Sequence, residues 1–145
     1  MTSPREGFGL RVAAHVAGLS PVMVDYLCRT GIVVPTCRGR GRPRIYSFAD
    51  LVMLRTVAHL LQAGVAVARL KKSLQAAQRS HPQLKNQASN GRFLVTDGVR
   101  VYYRSSRELL EELTSGQYAF RFVVEMKSIR RQVAERLAVV NARTE

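Results

Sequence analysis

Three features of the 145-residue sequence predict an α+β fold. Two short helix signatures meet at a glycine-containing turn, residues 18–20. A β-branched run, an Arg/Gly loop and a return to Ile45-Tyr46 follow them as a hairpin would. In the second half, an Asp-Gly pair sits between two strand-like runs. Together these describe an N-terminal winged helix-turn-helix followed by a small β-β-α-β-α C-terminal module.

The first helix begins at Leu10, with Leu10, Val12, Ala13 and Val16 as its buried positions, and Gly18 stops it as a C-terminal glycine does. Ser20 is a good N-cap and Pro21 suits the first helical position, so a second helix should run over residues 21–30 and end at Gly31. Val24, Leu27 and Cys28 then face the first helix. Met23, Asp25, Tyr26 and Arg29 lie nearer to solvent, on the side that a helix-turn-helix offers to a major groove. Residues 32–34 (Ile-Val-Val) and 44–46 (Arg-Ile-Tyr) read as the two strands of a wing. Ser47 and Asp50 make a capping box for a helix through Leu51, Leu54, Val57, Ala58 and Leu61, up to Gly64. Another helix, residues 67–78, carries Arg69, Lys71 and Lys72 beside Leu70 and Leu74.

The polar stretch 79–90 reads as a linker, which separates a domain over residues 1–78 from a module over residues 91–145. In that module Asp97-Gly98 supplies a two-residue turn that pairs Leu94 with Val101 and Phe93 with Tyr102. Residues 105–108 cap a helix through Leu109, Leu110 and Leu113. A strand over 118–124 follows, and a last helix over 125–142 places Met126, Ile129, Val133, Leu137 and Val140 on one stripe.

The charge selects the partner. With 23 Lys/Arg against 10 Asp/Glu the chain carries +13, a lasting attraction to polyanions. Residues 1–80 hold 12 basic and 3 acidic side chains, and residues 81–145 hold 11 and 7, so the nucleic-acid face belongs to the first half. No run of about 18 apolar residues exists, so a membrane is not an expected partner. Residues 1–9 lack an apolar signal core, which points to a cytoplasmic, nucleoid-associated protein. Two cysteines, Cys28 and Cys37, are too few for a disulfide framework or a four-ligand zinc site. Cys28 reads as a small core residue and Cys37 as an exposed bystander. His15, His59 and His81 lack helical pairing, and no metal or cofactor is expected. No carboxylate pair, nucleophile elbow or phosphate loop argues for an enzyme.

The loop over residues 36–46 places Arg38, Arg40, Arg42 and Arg44 at alternate positions among glycines and Pro43, and Tyr46 closes it. Arginine can bond two phosphate or base acceptors at once, and glycine lets backbone approach a duplex. Arg40-Gly41-Arg42-Pro43 also resembles the core of the minor-groove AT-hook, with Gly39 where that motif usually has proline. Alone, the run fits a solvated basic linker equally well; between a helix-turn-helix and a capped helix it reads as a wing tip.

Over about residues 10–75 the sequence resembles the MerR-type winged-helix DNA-binding domain. The resemblance is carried by Gly18-Leu19-Ser20, by residues 26–33 (Tyr-Leu-Cys-Arg-Thr-Gly-Ile-Val), by residues 44–51 (Arg-Ile-Tyr-Ser-Phe-Ala-Asp-Leu) and by residues 60–65 (Leu-Leu-Gln-Ala-Gly-Val). It implies that Tyr26, Arg29, Arg44 and Tyr46 touch DNA, and that the protein is a homodimer regulating transcription with RNA polymerase at a promoter. Asp25 departs from the pattern, standing where the family usually has a phosphate-directed arginine. Leu27 replaces a second tyrosine, and the linker interrupts the path to a dimer helix.

The expected function is therefore a sequence-specific, double-stranded DNA-binding transcription regulator. Its expected DNA-binding residues are Ser20, Met23, Tyr26, Arg29, Arg38, Arg40, Arg42, Arg44 and Tyr46. Two other readings stand beside it. One is an excisionase-like architectural factor that bends DNA. The other is an antitoxin-like module whose C-terminal sheet captures a protein. The aromatics Tyr102, Tyr103, Tyr118, Phe120 and Phe122 fit either a small sheet core or an effector pocket.

Overall fold

Helix α1 (Leu10–Ala17) and helix α2 (Pro21–Arg29) are separated by residues 18–20, and both end in the same way. The structure, a computed structural model, describes residues 7–33, 35, 44–72, 92–96, 101–105, 108 and 122–144. At the end of α1, Gly18 takes φ 77° while the Gly18 and Leu19 N–H groups donate to the His15 and Ala14 carbonyls. At the end of α2, Gly31 takes φ 79° while Gly31 and Ile32 donate to Cys28 and Leu27. This double closure satisfies carbonyls that a helix otherwise leaves open, and the left-handed residue it needs is glycine at almost no steric cost. Ser20 caps α2 by accepting from the Met23 N–H at 3.1 Å. Ala13 and Val16 of α1 and Val24, Leu27 and Cys28 of α2 are buried as expected, with Ala17 beside them, whereas Leu10, in the first turn of α1, is 37% exposed and Val12 half-buried, against expectation.

Two parts of the expected wing differ from the structure. The Ile32 and Val33 N–H groups both donate to the Leu27 carbonyl, and both side chains are buried. Their β-branched character had suggested a strand, but here they complete the cap of α2 and add to the core. The return segment pairs elsewhere: Tyr46 and Phe8 exchange backbone hydrogen bonds at 2.8 and 2.9 Å in an antiparallel bridge. Residues 36–43 lie outside the described residues.

Helix α3 (Phe48–Gln62) starts at the expected capping box, in which the Ser47 N–H donates to Asp50 Oδ2 and the Asp50 N–H to Ser47 Oγ. It is buried more completely than one amphipathic stripe requires. Val52, Met53 and Thr56 are buried along with Leu51, Leu54, Val57 and Ala58, and Thr56 satisfies its hydroxyl on the Val52 carbonyl. Residues 67–72 are helical and bury Leu70; residues 73–91 lie outside the described residues.

Strands β1 (Arg92–Thr96), β2 (Val101–Ser105) and β3 (Phe122–Glu125) form an antiparallel sheet in the order β2-β1-β3. The β1–β2 ladder pairs Leu94 with Tyr103 and closes at Thr96 with Val101. Four residues, 97–100, therefore connect the strands where a two-residue turn was expected, and each partner moves by two positions. A shift by two preserves the alternation of faces, which a shift by one would invert. The helix expected between β2 and β3 lies outside the described residues except for Glu108.

The last helix, α4 (Met126–Thr144), buries Met126, Ile129, Val133 and Leu137 of its expected stripe. That stripe is already covered within one chain. The chain divides into two compact units, residues 1–58 with 130–145, and residues 59–129. This grouping differs from boundaries read along the sequence because residues 130–144 of α4 lie against the helix-turn-helix. Arg55 of α3 donates through Nε to Gln132 Oε1 at 3.0 Å, and the Arg130 guanidinium stands 5.1 Å from the centre of the Phe48 ring. No described helix is long and apolar enough to cross a membrane.

Candidate nucleic-acid interface

The exposed face of α2 and the base of the loop that follows it meet at one carboxylate. Asp25 Oδ2 accepts from Arg29 Nε at 3.1 Å, one helical turn away, and Asp25 Oδ1 accepts from Arg44 Nη1 at 2.6 Å, across 19 residues of sequence. The first is the ordinary i,i+4 pairing of a helix surface. The second joins the recognition-helix position to the segment leading out of the Arg/Gly loop. Hydrogen bonds from Arg44 and then Arg29 hold the Asp25 pKa below its usual value, so the carboxylate stays ionised wherever the protein is folded near neutrality. The same bond to Asp25 raises the pKa of Arg44.

Around this centre lie the other expected residues. Tyr26 is 39% exposed, and the Arg29 guanidinium stands 5.9 Å from its ring centre. Arg29 has 61% of its side chain exposed and Arg44 has 29%. Thr30 donates its hydroxyl to the Tyr26 carbonyl at 2.8 Å, which closes the end of α2 beneath this cluster. Ser20 is exposed but its oxygen is engaged in capping, and Met23 is half-buried. Arg38, Arg40 and Arg42 lie outside the described residues.

Tyr46 is the correction. Expected on the DNA-facing side, it is 0% exposed, and its hydroxyl stands 3.6 Å from Cys28 Sγ. The backbone bridge to Phe8 fixes the Tyr46 main chain, and the side chain drops into the core behind α2. Burial raises its pKa far above the ordinary phenol value, with the Cys28 contact adding to that shift. Burial likewise pushes the Cys28 thiol up, so Cys28 is the neutral core residue the sequence suggested. Tyr46 therefore supports α2 from behind.

The sequence reading passed over Val22. It is 78% exposed at the second position of α2, on the turn that in helix-turn-helix proteins lies nearest the bases. Its place beside Pro21, in the first turn of α2, was the signal available in the sequence. Among the described residues no three His, Cys, Asp or Glu side chains gather as a metal site.

Residues 10–77 match the family model described as MerR HTH family regulatory protein. Three curated relatives, named as uncharacterized HTH-type transcriptional regulators from Mycobacterium bovis and from two strains of Mycobacterium tuberculosis, are each 33% identical over 117 residues. The match covers 77% of this chain and 50% of each relative, so the chain spans about half the length of the curated relatives it matches. The C-terminal cap of α1, the caps of α2, the capping box of α3 and the segment through Val65 all fall inside the matched residues. Over residues 10–77 the chain is similar to the MerR family of helix-turn-helix regulatory proteins.

Proposed function

We propose that the protein is a sequence-specific, double-stranded DNA-binding regulator of transcription. The observation that carries this reading is the cluster of Val22, Tyr26, Arg29 and Arg44 on one exposed side of a MerR-type helix-turn-helix, in a chain of net charge +13. In this reading α2 enters the major groove, where Val22 meets thymine methyl groups and Arg29 meets phosphate or guanine. The loop carrying Arg38, Arg40 and Arg42 extends from Arg44 to the flanking minor groove, whose potential is most negative where A·T-rich sequence narrows it. Ser20 and Met23 serve this face by setting the start of the helix.

The protein acts as a homodimer on a two-fold related site, together with RNA polymerase at a promoter, and works in the bacterial cytoplasm at the nucleoid. With the α4 stripe covered in the same chain, a second copy pairs through another surface. The segment 91–145, read as a β-β-α-β-α module, is the part that varies the response. In vitro selection from random duplex DNA tests the reading. The expected result is an inverted repeat; a preference for bendable DNA with no dyad would replace this reading by an architectural, excisionase-like one, and no enrichment would refute DNA recognition.

A further inference from the structure

A second cationic site lies away from the exposed face of α2, where α4 packs against the end of α1. A cleft of about 490 Å³ is lined by His15, Arg55, Gln132, Glu135, Arg136 and Val139, within the size range of small-molecule sites. Two guanidinium groups converge on it. Arg55, from α3, donates through Nη1 to the Ala17 carbonyl at 3.0 Å and through Nε to Gln132. Arg136, from α4, reaches the His15 and Val16 carbonyls only at 3.4 Å. Both Nη1 atoms approach the point where a Gly18 Cβ would sit, at 2.6 and 3.5 Å, so the two cations are neighbours. Their mutual repulsion adds to the effect of burial in lowering the Arg55 pKa.

The carbonyls at the end of α1 account for Arg55 well and for Arg136 poorly. Two long contacts, both through Nη1, leave the rest of the Arg136 fork uncommitted among the described residues. Glu135 lines the same cleft from an exposed position. Val139, three residues beyond Arg136 on α4, lines the same cleft and is 51% exposed, an apolar surface beside the cations. A planar fork beside a second cation suits a carboxylate, and a valine wall suits an apolar body attached to it.

We propose that this cleft binds a small organic anion, a carboxylate on an apolar body, which bridges Arg55 of α3 and Arg136 of α4. The site takes its charge from two helices that meet only in the folded chain. Its occupant ties α4 to α1 and α3. Recognition of DNA through α2 is not needed for this binding, so the two readings stand or fall separately.

The test is a titration of the full chain with sodium benzoate at constant ionic strength, followed by amide chemical shifts and by calorimetry. Benzamide serves as the neutral isostere and inorganic phosphate as an anion without an apolar body. The expected result is saturable benzoate binding with shifts at His15, Gln132 and Val139, and weaker binding of both controls. Arg136→Gln should weaken benzoate by about tenfold, the worth of one charge-assisted hydrogen-bonded contact. Val139→Ser, at a position 51% exposed, should weaken it several-fold, with an unchanged urea midpoint as the check on folding. Benzamide or phosphate binding as tightly as benzoate, absence of saturation, or unchanged affinity in the Val139→Ser variant would overturn the proposal.

Discussion

Replacing Asp25 by asparagine separates two roles that its carboxylate combines. The side chain holds Arg29 at 3.1 Å and Arg44 at 2.6 Å, so the three groups together carry a single net positive charge. In the Asn variant the same surface carries two. Each phosphate neutralised by a protein cation contributes about 0.9 to the steepness of log affinity against log salt. If Arg29 and Arg44 face phosphate, the variant should therefore gain up to about 0.9 in that slope, which corresponds to about an eightfold larger loss of affinity across a tenfold rise in salt. At low salt the variant should bind more tightly.

Its specificity should fall. Asparagine offers one neutral acceptor oxygen where the carboxylate offers two charged ones, so at most one of the two arginines stays anchored, and an unanchored guanidinium meets any phosphate as readily as the intended one. The assay is fluorescence anisotropy on a selected duplex and on a scrambled duplex of equal length, each over a series of salt concentrations. Expected are a steeper slope on both duplexes and a smaller ratio between them. An unchanged slope would refute the placement of Arg29 and Arg44 at the DNA. The difference between wild type and variant should also be constant from about pH 5 to pH 9, because the Asp25 pKa is held below its ordinary 3.8. A depressed carboxylate pKa contributes stability that is present above the unfolded value and lost as pH falls through the folded one. The bridge should accordingly fail only below about pH 4.

Other perturbations address the wing, the turn and the core. Arg40→Ala and Arg42→Ala should each weaken binding by about 1 to 3 kcal/mol if both side chains insert into the minor groove, and unchanged affinity in the double variant would remove the wing from the interface. Gly18→Ala should lower the unfolding free energy by about 1 to 2 kcal/mol, measured by urea titration, since φ is 77° and a Cβ would meet Arg55 Nη1 at 2.6 Å. An unaffected midpoint would show that the turn between α1 and α2 is not held as described. Cys28 should react with iodoacetamide far more slowly in the native protein than in urea, followed on its own peptide by mass spectrometry. Because its pKa is raised above 9.0, the stability tied to the neutral thiol should be complete below that pH and fade above it. Equal labelling rates in the two states would contradict a buried thiol.

What the sequence made legible was local. Gly18, Ser20-Pro21, Gly31 and the Ser47/Asp50 box each act within four residues of themselves, so the boundaries of α1, α2 and α3 could be read directly from residue types. Contacts across long separations could not. Nothing near Tyr46 announces that Phe8 will take its backbone hydrogen bonds and leave its ring in the core. The link from Arg44 to Asp25 spans 19 residues, and that from Arg55 to Gln132 spans 77. Ile32 and Val33 show propensity yielding to context, since the cap of α2 took the N–H groups that a strand would have used. The register of β1 and β2 went astray for a related reason: Asp-Gly marks a turn but does not limit the connection to two residues.

The paired arginines at Asp25 also bear on why the loop is so rich in arginine. A cation already bonded to an internal carboxylate gives less on meeting a phosphate, because one charge-assisted hydrogen bond is exchanged for another. In the proposed DNA-bound arrangement Arg29 and Arg44 would therefore contribute position and orientation more than charge, and net attraction would come from cations that Asp25 does not hold. Arg38, Arg40 and Arg42 are the nearest such residues in sequence. This division predicts how Asp25→Asn and the Arg40/Arg42 double alanine variant combine. Acting on separate stretches of backbone, their effects on binding free energy should add to within about 0.5 kcal/mol. A larger coupling would mean that Asp25 restrains the loop arginines as well, and that the helix and wing grip the DNA as one unit.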